Sequence, residues 1–286
     1  MSQSRPTADG VNALLERIAE LAPIPAAANR VIALTSKDDA RIVEVAQAVA
    51  ADPALAAETM RIANSPLYSG NTVIGDLEQA IMRLGLNELR NMAAAMAMIA
   101  AFRSESKLSL RLHEQSVLSG ALAGLSARAL STVPRGCAFL SGLLAEIGAM
   151  ACLTADTGAY EELWQAAGGD PAQRQRLETE RYGTSSYEIG RRLLQRIALP
   201  EETCDAVGTP VGADADSLSD LARVCVFART ITPLLIAAGA TRSFDAFREQ
   251  LEATMERLAL VGLGTQGMLD ICVEAGRKSA AALRAR

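Results

Sequence analysis

Apolar positions recur at three- and four-residue spacing along most of the chain. Val11, Leu14, Leu15, Ile18 and Leu21 form the first stripe and predict an amphipathic helix. Pro23 and Pro25 interrupt it, and a short helix carrying Val31 and Leu34 follows. Asp39 is placed to cap the next helix, whose apolar face is Ile42, Val45, Ala46 and Val49. Asp52-Pro53 joins a capping residue to proline at the first helical position, a strong start signal for a helix carrying Leu55, Thr59 and Ile62. That helix stops at Asn64-Ser65-Pro66, and a loop runs on to Gly75. Asp76 caps a helix ending at Gly85, and Asn87 caps an apolar helix through Met98.

The polar stretch Arg103–Lys107 separates two apolar blocks and marks the expected domain boundary. Beyond it the pattern predicts helices over 108–130 and 135–153, and Asp170-Pro171 repeats the start signal. Further helices are expected over 185–197, 217–238 with a kink at Pro233, 244–258 and 266–283. No segment sustains the period-two alternation of a strand. The fold class expected is all-α, a multi-helix bundle with an N-terminal helical subdomain over 1–105 and a C-terminal one over 106–286.

Composition supports helices. Half of the residues are apolar but only 3% are aromatic, so Ala, Leu, Ile, Val and Met build the core, and such side chains suit closely packed helices. The net charge is −5, with no basic stripe, which argues against tight nucleic-acid binding. The densest basic cluster, Arg191, Arg192 and Arg196, reads as a solvated helix face. Five cysteines, none in a C-x-x-C pair, read as buried small hydrophobes in a reducing compartment. The polar start Met1–Gly10 has no signal-peptide core. The apolar run from Met92 to Phe102 falls well short of the ~20 residues of a membrane span. A cytoplasmic protein without membrane contact is the expectation.

The chemistry is limited by a single histidine, His113. Sites that combine two or more His are excluded, and unpaired cysteines argue against a thiolate zinc site. No G-x-S-x-G elbow exists to give His113 a nucleophile, and it lies on a polar helix face beside Arg111 and Glu114. Gly262-Leu-Gly264-Thr-Gln-Gly267 matches a dinucleotide fingerprint in letters only. The 19 residues after it leave no room for the second strand and acidic residue, so a helix–helix turn is expected. Asp214 and Asp216 lack the Gly and Glu of a calcium loop and read as caps of the helix near Ser217. Glu161-Glu162 and Glu201-Glu202 read as favourable charge in helix first turns.

Two stretches are more specific. One is Asp52-Pro-Ala-Leu55, Arg61-Ile-Ala-Asn-Ser65 and Tyr68-Ser-Gly70; the other is Gln79-Ala-Ile-Met-Arg-Leu-Gly85 running on to Leu89-Arg-Asn91. Together they resemble the N-terminal signature of the HDOD family, catalytically degenerate relatives of the metal-dependent HD phosphohydrolases. The similarity spans roughly Leu14 to Thr230. HD enzymes hold metal with a His, a His-Asp pair and a later Asp. Phe139–Leu144 resembles the run before that pair, and Ala145-Glu146 stands in its place. Gln115 aligns with the first His, Ser186 with a further His, and Arg229 with the last Asp. The resemblance thus implies a remnant HD pocket of Gln115, Ala145, Glu146, Ser186 and Arg229, with no metal, no cofactor and no catalytic residue.

The resemblance implies a bacterial signal-transduction module that acts on a protein partner. An alternative is a sensor that takes a nucleotide or metabolite in the remnant pocket, and a metal-dependent phosphodiesterase ranks below both. Asn64, Ser65, Pro66 and Tyr68 are expected to shape a defined loop, either a recognition surface or a helix stop with a satisfied Tyr. Glu146 and Arg229 are expected to meet as an ion pair that replaces the cation of a working site.

Overall fold

The computed structural model describes residues 8–21, 26–37, 39–64, 68, 73–130, 132–241, 245–260, 262 and 264–273. Every regular element among them is helical, as the pattern predicts. The chain divides into two compact units, one of residues 22–101 and one of residues 1–21 with 102–286. The break at Phe102 lies beside the expected boundary. The first 21 residues depart from the expected 1–105 subdomain, because α1 (Ala8–Leu21) packs in the other unit. It buries Leu15 and Ile18 and meets α9 (Ile147–Ala155) and α11 (Pro171–Tyr182), while Arg17 donates to the Ala155 carbonyl and Arg196 to that of Leu15. Arg196 is exposed, as expected of a solvated face, and makes this bond from the surface.

The unit of 22–101 holds α2 (Ala26–Thr35), α3 (Ile42–Ala50), α4 (Pro53–Ala63), α5 (Leu77–Leu84) and α6 (Leu86–Ala101). Its core joins Val31, Val45, Val49, Leu55, Ile81 and Leu89. Asp52 caps α4 by accepting from the Ala54 and Leu55 amides, and Asp76 caps α5 through Gln79. Asp39 does not cap α3; Arg41 holds that position without a side-chain bond. Asn87 lies inside α6 and accepts from Arg90 instead of capping.

The larger unit adds α7 (Lys107–Ser126), α8 (Arg135–Leu143), α10 (Thr157–Ala166), α12 (Ser186–Arg196), α13 (Glu201–Gly208), α14 (Asp220–Thr241) and α15 (Asp245–Arg257). A core of Leu122, Phe227, Ile231, Leu251 and their neighbours runs through α7, α14 and α15. Two differences from the expected helices position the site. The single helix over 135–153 is broken into α8 and α9 by the turn Leu144–Glu146, closed by Ala145 N–H to Gly142 O (3.2 Å) and Ile147 N–H to Leu144 O (3.0 Å). Residues 157–166 form α10, so Glu161 and Glu162 lie past its first turn.

Close approach explains the glycines at this break. A Cβ on Gly148 would stand 1.8 Å from the Ser186 carbonyl oxygen, so α9 and α12 touch backbone to backbone there. Two stretches, Arg135–Ala155 and Asp220–Ala238, are longer than the 92–102 run and match a membrane span in length and composition. Burial of 78% and 61% of them inside the bundle accounts for that apolarity. Gly264 has φ +64° and opens the described helical stretch 264–273, while residues 261 and 263 of the expected turn lie outside the described residues. Asp214 caps a short 3₁₀ turn at Ala215–Ser217 rather than a calcium loop.

Candidate functional site

The Leu144–Glu146 turn delivers Glu146 into the interior of the larger unit, where it is 7% exposed. Two guanidinium groups meet its carboxylate. Arg229 Nε, from α14, lies 3.6 Å from Oε1, and Arg174 Nη1, from α11, donates to Oε2 at 3.1 Å. The Glu146–Arg229 pair is the one expected from the alignment. Arg174 is a residue the sequence reading did not single out.

Each arginine is held from behind. Arg229 donates to the carbonyls of Thr209 (2.7 Å), Val207 (2.9 Å) and Ala145, so the backbone of the broken turn and of the end of α13 orients it. Ala145 thus takes part through its carbonyl, not its side chain. Arg174 sits over the Trp164 ring at 4.8 Å and donates to the Tyr187 hydroxyl at 3.4 Å. Tyr187 also lies under Arg229, whose guanidinium carbon is 4.7 Å from the ring centre.

A second buried acid completes the network. Glu178 Oε1 lies 3.7 Å from Arg174 Nε and accepts from the Tyr160 hydroxyl at 2.7 Å, while Oε2 accepts from the Ser186 amide at 2.8 Å. Two arginines therefore face two glutamates, and the buried charge balances. Burial opposes the charge on Arg174, but Glu146, Tyr187, Tyr160 and Glu178 outweigh it and hold its pKa well above the ordinary value. Burial pushes the Tyr160 hydroxyl well up, reinforced by Glu178, so it remains a donor.

A cavity of about 310 Å³ opens beside this network. Gln115, Glu146 and Arg229 line it together, with Arg174, Trp164 and Ser119. Ser186 is not on its wall; it opens α12 and serves Glu178 through its backbone. Gly168 and Gly169, at φ +59° and +89°, carry the chain round its rim from α10 to the Asp170 cap of α11. His113 is elsewhere, its Nδ1 2.8 Å from the Ser109 carbonyl one turn back.

This donor set does not fit a catalytic metal. HD-type chemistry needs several His and Asp ligands converging on one cation. Here a carboxylate faces two guanidiniums, and no group of three or more His, Cys, Asp or Glu among the described residues is placed to hold an ion.

In the smaller unit, the proposed recognition loop is partly described; Ser65 and Pro66 lie outside the described residues. The Asn64 amide donates to the carbonyls of Met60 (3.1 Å) and Ile74 (3.0 Å), and its oxygen accepts from the Ile74 amide (2.8 Å). That two-way bond ties the end of α4 to the residue ten positions on. The Tyr68 hydroxyl donates to Glu88 Oε1 at 2.7 Å.

The model of the HDOD domain matches residues 21–209, two thirds of the sequence. The chain belongs to the HDOD family. Solved structures share the fold of this HDOD chain. One is a Shewanella amazonensis SB2B protein named "Putative phosphohydrolase", with TM-score 0.66, 23% identity, and coverage of 92% of this chain and 97% of that one. Another is an HDOD domain protein of unknown function from Geobacter sulfurreducens, at TM-score 0.59 and 21% identity over 93% of this chain and 98% of that one. A third, from Marinobacter aquaeolei VT8, is named "Putative signal transduction protein"; it matches at TM-score 0.56 and 19% identity over 94% of this chain and 65% of that one. No curated protein matches the sequence.

Proposed function

We propose that this HDOD chain is a non-catalytic signal-transduction module of the cytoplasm that works by binding a protein partner. One observation carries the reading: Glu146, standing where an HD enzyme keeps its His-Asp pair, spends its carboxylate on Arg174 and Arg229. A guanidinium at each oxygen supplies the positive charge that a metal would otherwise bring. Without a metal to lower the pKa of water, the pocket has no source of hydroxide at neutral pH. Family membership and the name borne by the Marinobacter relative favour a signalling role.

The surface offered to a partner is the Asn64–Ile74 clamp of the smaller unit. There Tyr68 is anchored through Glu88, and Val73 stands 90% exposed. A half-buried amphipathic Tyr and an exposed aliphatic side chain suit recognition.

Purified protein loaded with Mn, Fe, Ni or Zn and then dialysed is expected to retain no stoichiometric metal and to leave a cyclic dinucleotide unhydrolysed. Stoichiometric metal together with turnover abolished by Glu146→Ala refutes the proposal.

A further inference from the structure

The cavity beside Glu146 carries hydrogen-bonding groups that the fold does not use. Ser119 and Thr232 are among its lining residues, 2% and 1% exposed, and the buried hydroxyl of each has no hydrogen-bond partner. A helical Ser or Thr commonly bonds the carbonyl four residues back. Thr230 does so on the same helix, to Val226 at 2.8 Å. Thr232, two residues on, does not. A buried hydroxyl left unbonded is costly, and a group that satisfies it recovers that cost. Pro233, also on the wall, has no N–H, so the Arg229 carbonyl loses its intrahelical donor.

The wall is graded. Arg111, Gln115 and Ser119 follow one another at four-residue spacing on α7, from an exposed guanidinium through a buried amide to the buried hydroxyl. Charge narrows the choice of occupant. Arg174 and Arg229 are offset by Glu146 and, behind them, Glu178, and the remaining lining carries one charge of each sign, Arg111 and Asp170. The site has donors and acceptors to spare but no net charge to spend on an anion. Its volume of about 310 Å³ is roughly twice that of a cavity known to hold benzene. Trp164, whose ring carries Arg174 over one face, adds aromatic lining to the wall.

We propose that this cavity binds a small neutral ring compound rich in hydroxyl or amide groups, a nucleoside or a monosaccharide, in preference to its phosphorylated form. The inference rests on the reading that the pocket holds no metal, and it names the class of effector the signalling module would sense.

Trp164 is the only tryptophan in the chain, so its emission reports directly on the cavity. The full-length protein is titrated with adenosine, guanosine, uridine, ribose and glucose, with the corresponding monophosphates, and with Mn²⁺. At least one neutral compound is expected to change the emission to saturation, and its phosphate to bind roughly tenfold more weakly or worse. Response to nucleosides alone, or to sugars alone, identifies the source. Thr232→Val keeps the shape and removes only the hydroxyl, so it is expected to weaken binding roughly tenfold. Its melting temperature should equal or exceed that of the parent, since no bond within the fold is lost. Silence to every neutral compound overturns the proposal, as does tighter binding of the phosphates. A Thr232→Val protein that melts lower yet binds unchanged overturns it too. Saturable binding of Mn²⁺ strikes instead at the metal-free reading on which the proposal rests.

Discussion

Arg174 reaches back from α11 to Glu146, 28 residues earlier in the chain, and closes the second of the carboxylate's two ion pairs at 3.1 Å. Both side chains are nearly dry, at 9% and 8% exposure. Removing Glu146 leaves both guanidiniums with Glu178, 3.7 Å from Arg174, as the nearest remaining carboxylate of the network. Glu146→Ala leaves two buried guanidiniums facing each other and is expected to cost about 3–5 kcal/mol of stability. An exposed change such as Glu114→Ala should stay within about 0.5 kcal/mol. Urea unfolding of the two variants checks the contrast; equal midpoints contradict a buried network.

Gly148→Ala tests the contact between α9 and α12. The added methyl would meet the Ser186 carbonyl at 1.8 Å and the Gly190 amide nitrogen at 2.7 Å. Both are backbone atoms of a packed helix, so neither can turn aside as a side chain would. A loss of about 3 kcal/mol or more is expected, at or above the upper end of overpacking costs. Gly158→Ala, on the neighbouring α10 with nothing within 4 Å, is the control and should be neutral or stabilising.

Glu88 gives the smaller unit a pH signature. Burial raises its pKa above the usual carboxylate value, and the bond from Tyr68 pulls only partly the other way. A raised folded-state pKa means that the folded form binds the proton more tightly. Its contribution to stability is therefore fully present below the unfolded pKa and is lost as pH rises through the folded one. Glu88→Gln removes the ionisable group and keeps an acceptor for Tyr68. It is expected to melt higher than the parent at neutral pH, with the difference vanishing in acid. Melting curves across pH 3–7 check the sign; a gap that widens in acid reverses it.

Much of the fold was legible because its signals are local. Asp52, Asp76 and Asp170 each stand one residue before a helix and accept from its first amides, and nothing distant competes with that geometry. Asp39 and Asn87 carry the same chemistry but are not used as caps, because the neighbouring helices begin one or more residues away from the register they offer. Glu146 and Arg229 could be paired in advance through the family pattern. Arg174 could not. Its helix, Pro171–Tyr182, is strongly polar and offers several arginines, so its pattern reads as solvated. The available clue was the four-residue spacing of Arg174, Glu178 and Tyr182, which puts all three on one face. Only the aromatic groups Tyr160, Trp164 and Tyr187, brought in from other helices, make that charged face an interior one.

The placement of α1 bears on how the chain is made. Arg17 bonds a carbonyl 138 residues downstream, and Leu15 receives Arg196 from 181 residues downstream. During synthesis at about 5–20 residues per second, the helix waits on the order of ten seconds or more for the surface it will cover. Residues 22–101 emerge meanwhile and have their own core to close. Residues 22–101 thus have their core residues in hand before the surface that buries Leu15 and Ile18 has been made, and those two apolar side chains stay uncovered for that interval.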